Sequence, residues 1–271
     1  MTFRLIALDV DGTLLDDDHQ LTPRVREAVR AAASNGAEIV LCTGRGSTSA
    51  LPVLEELGLP GTMITHNGAS IVDSATRTVL YETEIAHEPA ARYVDYLQAR
   101  NIHFDINTAF DLYVHELDEF TTEMYRKWFA RPILRRPEEG LPEKTVKLSM
   151  YAPKEVLDQV ELDWAEWVDG LHYVRSGVNF IDVQHPQSTK GKALEKLTGL
   201  RGIPREQVLA IGNYYNDIGM LVFAGHGVAM ENSPAEVKAE ADEVTLSNNE
   251  DGVAVVLERL VSYKHPKYIS I

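Results

Sequence analysis

Leu5-Ile6-Ala7-Leu8-Asp9-Val10-Asp11-Gly12-Thr13-Leu14 is the stretch from which the fold can be read. Its first four residues are apolar without alternation, as in a strand buried on both faces, and the run stops at an acidic pair. Working outward, Thr22-Pro23 supplies an N-cap and a first-turn proline. Val25, Ala28, Val29 and Ala32 then repeat at helical spacing, and Asn35-Gly36 ends the helix. Ile39-Val40-Leu41-Cys42 reads as a second buried strand running into Thr43-Gly44-Arg45, and another helix ends near Leu57-Gly58. This βαβα rhythm predicts a Rossmann-like parallel sheet covered by helices, with ligands bound beyond the carboxyl ends of its strands. Asp9 and Thr43 both fall there.

From about Thr83 to His185 the texture changes. A helical stretch is followed by strand candidates at Ile102 to Ile106, Asp111 to His115 and Val146 to Tyr151, then a helix, then Leu171 to Val183. Short strands pairing with neighbours and flanked by helices suggest an inserted α+β domain. The first texture then returns: Lys192 to Leu200 reads as a helix, Val208 to Ile211 and Gly227 to Met230 as strands, and Gly252 to Val261 as a closing helix. The expectation is an α/β core discontinuous in sequence, residues 1–82 and 186–271, carrying an inserted cap at 83–185. Arg135 to Gly140 reads as a loop.

A chain of 271 residues with 44% hydrophobic and 25% charged residues has the composition of a soluble globular protein with a substantial core. Its formal charge of -15 argues against nucleic acid as a partner, since phosphate backbones need a basic face. No stretch reaches the apolar length of a membrane span. Met1-Thr2-Phe3-Arg4 leads into the first strand without a signal-peptide pattern, so a cytoplasmic location is expected. The single cysteine, Cys42, excludes an intramolecular disulfide and a Cys-rich zinc site. Any metal would be held by oxygen.

The chemistry-bearing residues are individually ambiguous. Asp9 and Asp11 could share the loop mouth if the chain turns at Gly12, one attacking phosphorus and the other carrying protons. Alone, the pair reads first as a solvated acidic turn. Thr43, Gly44 and Arg45 offer a hydroxyl, a close-approaching backbone and a guanidinium to phosphate oxygens, although Thr43 by itself reads as a helix cap. Lys190-Gly191 could neutralise a transferring phosphoryl group, or Lys190 could simply be solvated. Gly212-Asn213-Tyr214-Tyr215-Asn216-Asp217 follows another buried strand and offers oxygen ligands of the kind magnesium prefers, or else an Asx-rich turn.

Together these four segments fall at strand or helix ends of the predicted core, in an order that lets one pocket collect them. The sequence resembles the haloacid dehalogenase superfamily. Asp9-Val10-Asp11-Gly12-Thr13-Leu14 is similar to its first motif, Thr43 to its second, Lys190-Gly191 to its third and Gly212 to Asp217 to its fourth. The insertion between the second and third motifs, Asn67-Gly68-Ala69 ahead of it, and Met230-Glu231-Asn232-Ser233 and Glu250-Asp251-Gly252-Val253 after it resemble the Cof-type branch, subclass IIB.

The resemblance implies a phosphatase acting on a small phosphorylated metabolite, such as a sugar phosphate, with Mg2+ as cofactor. Asp9 would be the nucleophile and Asp11 the proton carrier, with Thr43 and Lys190 holding the phosphoryl group. Magnesium would take the Asp9 carboxylate, the Asp11 carbonyl and the fourth motif, through Asn213 and Asp217. Gly44, Arg45, Asn67 and Asn216 would contact substrate. Asn213 stands where the family's fourth motif usually has aspartate, which implies weaker metal binding and keeps open a weakly active binding protein. A phosphotransferase or mutase is the other alternative.

Some residues carry plainer expectations. The histidines show no zinc spacing, Trp164 and Trp167 read as packing within the insertion, and Tyr214 and Tyr215 read either as loop packing or as entrance residues. Arg175 and Asn179 are further candidates for polar contacts.

Overall fold

Residues 3–167 and 170–262 are described by a computed structural model. In chain order the first strands are β1 (Leu5–Leu8), β2 (Glu38–Cys42), β3 (Thr62–Thr65), β4 (Ser70–Asp73) and β5 (Thr78–Glu82). The next set is β6 (His103–Asn107), β7 (Leu112–Val114), β8 (Ile133–Leu134), β9 (Lys147–Tyr151), β10 (His172–Gly177) and β11 (Phe180–Gln184). The chain then returns with β12 (Val208–Gly212), β13 (His226–Ala229) and β14 (Glu243–Val244). The helices between them are α1 (Pro23–Ser34), α2 (Ser47–Leu57), α3 (His87–Ala99), α4 (Glu119–Lys127), α5 (Lys154–Trp164), α6 (Lys190–Arg201), α7 (Ile218–Phe223), α8 (Ala235–Ala239) and α9 (Gly252–Ser262).

The larger sheet has the order β14-β13-β12-β1-β2-β3-β4-β5. Strands β14 through β3 run parallel, while β4 and β5 extend the edge antiparallel. Its central strands are apolar throughout because both faces are covered. Ile6 and Leu8 join Ile39, Leu41, Leu209 and Ile211 in the core beneath α1, α2 and α9. Leu5 and Ala7 join Val40, Cys42, Val208 and Ala210 in a second core against α6 and α7. The Thr22 side chain caps α1 by accepting from Val25 N–H at 3.2 Å, as Thr22-Pro23 predicts.

The second sheet, β10-β11-β9-β6-β7-β8, is antiparallel except for the short β7–β8 pair. Phe104, Ile106, Leu148, Met150, Ile181 and Val183 point to one face, where Tyr93 and Leu97 of α3 and Leu157 and Trp164 of α5 cover them. Trp164 and Trp167 are packing residues, edge-on to Tyr93 at 4.6 and 4.9 Å. The opposite face is polar and looks toward the carboxyl ends of the core strands.

The fold is α/β with an inserted α+β unit. Besides the antiparallel edge strands β4 and β5, three details differ from the sequence reading. Leu171 to Val183 is a hairpin turning between Gly177 and Phe180. Helix α4 is an unforeseen element, with an Asp118 capping box. The Arg135 to Gly140 segment contains one helical turn, Pro137–Glu139. Residues 1–2 and 263–271 of the expected core lie outside the described residues.

Candidate active site

Four chain segments separated by up to about two hundred positions meet at the carboxyl edge of the parallel sheet. Asp9 extends β1 by one hydrogen bond, Asp9 N–H to the Ile211 carbonyl at 3.0 Å, and its side chain is buried. Lys190 opens α6, whose N-terminus is capped by Thr189 accepting from Lys192 N–H at 3.2 Å. The Lys190 ammonium is also buried and donates to Asp9 Oδ1 at 2.7 Å and Asp217 Oδ1 at 2.6 Å. Helix α6 can sit this close because Gly68, at φ 100°, faces the Thr189 carbonyl; a Cβ there would lie 2.2 Å from that oxygen.

Two carboxylates and one ammonium out of water make a strongly coupled triad. Burial and then the Asp217 charge push the Asp9 carboxyl up to about 7, with Lys190 pulling it back. Burial alone would lower Lys190, but Asp217 and Asp9 outweigh it and hold the ammonium above its ordinary value.

The first-strand loop and the fourth segment approach each other over Gly12, where an added Cβ would lie 2.4 Å from the Asn213 amide. One end of that amide lies 3.1 Å from Asp9 Oδ2, 3.2 Å from the Asp11 carbonyl oxygen and 3.3 Å from Thr13 Oγ1. With nitrogen at that end, the amide donates to all three oxygens. With oxygen at that end, three oxygens stand at separations close to the ~2.9 Å edge of an octahedron with magnesium–oxygen distances of ~2.05 Å. The donor set therefore fits a hard divalent cation. It contains one carboxylate, one amide and a main-chain carbonyl, and among the described residues no cluster of three His, Cys, Asp or Glu side chains could hold a metal.

Asp217, expected from the resemblance to be a metal ligand, accepts hydrogen bonds through both carboxylate oxygens. Its Oδ1 accepts from Lys190, and its Oδ2 accepts from Asn213 N–H at 2.8 Å and Tyr214 N–H at 3.0 Å. The carboxylate thereby folds the loop that presents Asn213. Thr43 is buried beside this cluster and does not cap α2, whose N-cap is Gly46; its Oγ1 accepts from Arg45 N–H at 3.0 Å.

Arg45 points at Asp11. Its Nε and Nη2 donate to Asp11 Oδ2 and Oδ1 at 2.8 and 2.5 Å, a bidentate grip. Trp128 from the second sheet's side stacks 5.9 Å from the Arg45 guanidinium, and His19 sits 3.6 Å from Asp11 Oδ1. Asn67 and Asn216 bond each other, Asn216 Nδ2 to Asn67 Oδ1 at 3.0 Å, and Gly44 lies against Asn67. All of these except His19 line one cavity of about 1040 Å³ with Asp9 and Thr43. Tyr214 and Tyr215 line it too, edge-on to one another at 5.0 Å.

Arg175 lines the cavity but is bonded to Glu161 at 2.9 Å and to Asp158 at 3.3 Å, so its charge is already matched. Asn179 is in the β10–β11 turn and is not among the cavity residues. Sequence reasoning missed Thr13, Trp128 and the polar face of the second sheet, above all Lys147. The Lys147 ammonium reaches 3.4 Å from the Gly44 carbonyl. The signal for that face was present: residues 103, 105 and 107 on one strand, and 147, 149 and 151 on another, alternate with apolar neighbours.

Comparison with known proteins identifies the family of the chain. Residues 6–257 match the family model described as haloacid dehalogenase-like hydrolase. YxeH of Bacillus subtilis is 32% identical, covering 97% of this chain and all of its own length. YwtE of the same organism, named 5-amino-6-(5-phospho-D-ribitylamino)uracil phosphatase, is 31% identical over 96% of this chain and 98% of its own. A haloacid dehalogenase-like hydrolase from Bacteroides thetaiotaomicron superposes with a TM-score of 0.88 at 27% identity, covering 96% of this chain and 100% of that one. No helix among the described residues is long and apolar enough to cross a membrane. With motifs, sheet order and relatives in agreement, the chain belongs to the haloacid dehalogenase-like hydrolases, as a phosphatase of their Cof-type branch.

Proposed function

We propose that this chain hydrolyses the phosphomonoester of a small metabolite, such as a sugar phosphate, through an aspartyl-phosphate intermediate on Asp9. The observation that carries the reading is the buried Lys190 bridging Asp9 and Asp217, with Asn213, Thr43 and the Asp11 carbonyl gathered at the same cavity end. The Asp9 carboxylate attacks phosphorus, through the oxygen not assigned to the cation, while the bond to the leaving oxygen breaks, and Asp11 gives that oxygen its proton. Asp11 then takes a proton from water as the water oxygen attacks phosphorus, releasing inorganic phosphate and restoring the Asp9 carboxylate. Lys190 and Thr43 hold the phosphoryl oxygens.

Asp9 Oδ2, the Asp11 carbonyl and Asn213 Oδ1 would hold Mg2+, with Asp217 bracing the loop. When bound, the cation neutralises phosphoryl charge and favours the ionised Asp9. Arg45 occupies both oxygens of Asp11, so proton transfer to or from them requires that pair to open. Residues 83–185 act as the cap over a core made of 1–82 and 186–271, and the buried single thiol of Cys42 fits a cytoplasmic enzyme.

Asn213 favours a second reading, a slow catalyst that mainly binds its phosphorylated ligand. Magnesium-dependent release of phosphate from phenyl phosphate, lost in Asp9→Asn, is the expected result. Undiminished turnover by that variant would overturn the mechanism, and no turnover at saturating magnesium would favour the binder.

A further inference from the structure

Thr43, Gly44 and Arg45 line the cavity in succession, and the partner of each main-chain carbonyl can be followed. The Thr43 carbonyl accepts from Asn67 N–H at 3.0 Å and the Arg45 carbonyl from His66 N–H at 2.9 Å, both from the turn after β3. The carbonyl between them, that of Gly44, accepts from Lys147 Nζ at 3.4 Å, and Lys147 belongs to β9 of the second sheet. A turn of the core thus has its middle acceptor matched by a cation from the inserted unit.

The Lys147 ammonium is buried, and so is its partner Asp182, whose Oδ1 is 3.4 Å away. Asp182 is fixed in turn by Ser149, which donates from Oγ to the same Oδ1 at 2.6 Å. A buried ion pair adds little net stability over apolar residues of the same size, so its place on a cavity wall points to a use beyond folding. The charge is felt across the boundary between the units. Burial first, and then Lys147, push the imidazole of the core residue His66 down to about 3 and keep it neutral.

One peptide unit carries the argument. The Gly44 carbonyl and the Arg45 N–H belong to the same planar amide. Its oxygen accepts from Lys147, and its N–H donates to Thr43 Oγ1 at 3.0 Å. A hydroxyl has one proton and two lone pairs, so with Arg45 N–H on a lone pair the Thr43 proton is left to be given to a group in the cavity. A cation on the amide oxygen polarises the unit and strengthens its N–H as a donor.

We propose that Lys147 is a positioning residue for phosphoryl transfer: through the Gly44–Arg45 peptide it orients the Thr43 hydroxyl so that its proton meets a phosphoryl oxygen. This rests on the reading of Thr43 as a phosphoryl contact. Both Lys147 contacts are long, so a shift of the second sheet by about half an ångström makes or breaks them. The grip on phosphate is thereby tied to the seating of the inserted unit.

The test compares kcat and KM on phenyl phosphate, glycerol 3-phosphate and ribose 5-phosphate. Lys147→Met is expected to lower kcat about tenfold on all three alike, a fraction of the hundredfold or more that a donor touching the reacting group supplies. KM should stay within about twofold, and Lys147→Arg, which keeps a cation at the carbonyl, should restore most of the loss. In a Thr43→Val background Lys147→Met should cost less than about twofold, because the hydroxyl it serves is gone. A loss confined to some leaving groups, or one that adds in full to that of Thr43→Val, overturns the proposal. If Lys147→Met does not fold, Lys147→Met with Asp182→Asn, which removes both charges of the pair, takes its place. If the wild type releases phosphate from none of the esters, the Asp9 reading fails and amide NMR decides the proposal separately. The Arg45 amide proton should move upfield in Lys147→Met while that of Asn67, bonded to the neighbouring carbonyl, stays in place. An Arg45 amide that moves no further than that of Asn67 overturns it.

Discussion

Replacing Asn213 by aspartate perturbs the proposed cation pocket while keeping the shape of the side chain. The amide end that faces Asp9 lies 3.1 Å from Oδ2, so a carboxylate oxygen there brings two formal negative charges to that separation. At an effective dielectric constant of about 20 the gross repulsion is about 5 kcal/mol. Lys190 is already committed to Asp9 and Asp217, and the amide's own hydrogen bonds are lost as well. Side-chain shifts and proton uptake relieve part of this, leaving a net cost of about 3 kcal/mol, or roughly 6–10 °C in apparent Tm without metal. A divalent cation removes the repulsion. Recovering about 3 kcal/mol on binding corresponds to about a hundredfold tighter Kd for magnesium. Thermal melts of both proteins from EDTA through a magnesium titration, with calorimetric Kd values, measure each quantity. The expected result is a variant less stable than wild type in EDTA that regains stability at about a hundredfold lower magnesium. Superimposable melting curves would show that residue 213 does not face a cation and refute the reasoning.

Lys190→Met should cost about 3–5 kcal/mol in urea unfolding, because it leaves Asp9 and Asp217 buried and facing each other. Asp217→Asn in that background should restore part of the loss. Asp105 provides a pH signature: burial pushes its carboxyl up to about 6, with Lys147 and Asn107 opposing and Asp182 adding. The folded chain therefore binds a proton there that the unfolded chain has released between about pH 4 and 6. Stability from this group is full below about pH 4 and is lost as pH rises through about 6, by up to about 3 kcal/mol. Asp105→Asn should flatten that fall in urea-derived stability, and an unchanged slope would remove Asp105 as its source. Gly68→Ala combines a positive φ with a Cβ 2.2 Å from the Thr189 carbonyl, so it should lower kcat by displacing Lys190 as well as lower Tm. A variant with native kcat would show that the α6 N-terminus tolerates the shift.

The parallel core was legible because strands covered on both faces must be apolar at every position, and Leu5–Leu8, Ile39–Cys42 and Val208–Ile211 are. The antiparallel edge was not, since Thr78–Glu82 mixes polar and apolar residues along a partly exposed strand. Helix α4 was missed for a similar reason: only Thr121 and Tyr125 of its residues are buried. In the site, the resemblance to the family's motifs pointed to Asp9, Asp11, Thr43, Lys190, Asn213 and Asp217, but partner choice is tertiary. Nothing local says that Arg45 will grip Asp11 or that Asp217 will be spent on Lys190 and two N–H groups. The polar face of the second sheet escaped notice because such alternation ordinarily marks a strand wetted on one side.

That alternation separates two roles along each strand. On β6 and β9 cavity-lining polar residues are flanked by core residues: Asp105 by Phe104 and Ile106, Ser149 by Leu148. Point substitutions at the odd-numbered positions can therefore retune which molecule is accepted while the even-numbered ones keep the unit folded. Asp9, Lys190 and Asp217 have no such freedom, since each is buried against the charge of another. Along these strands the lining of the cavity can change apart from the core, whereas in the buried triad the two cannot be separated.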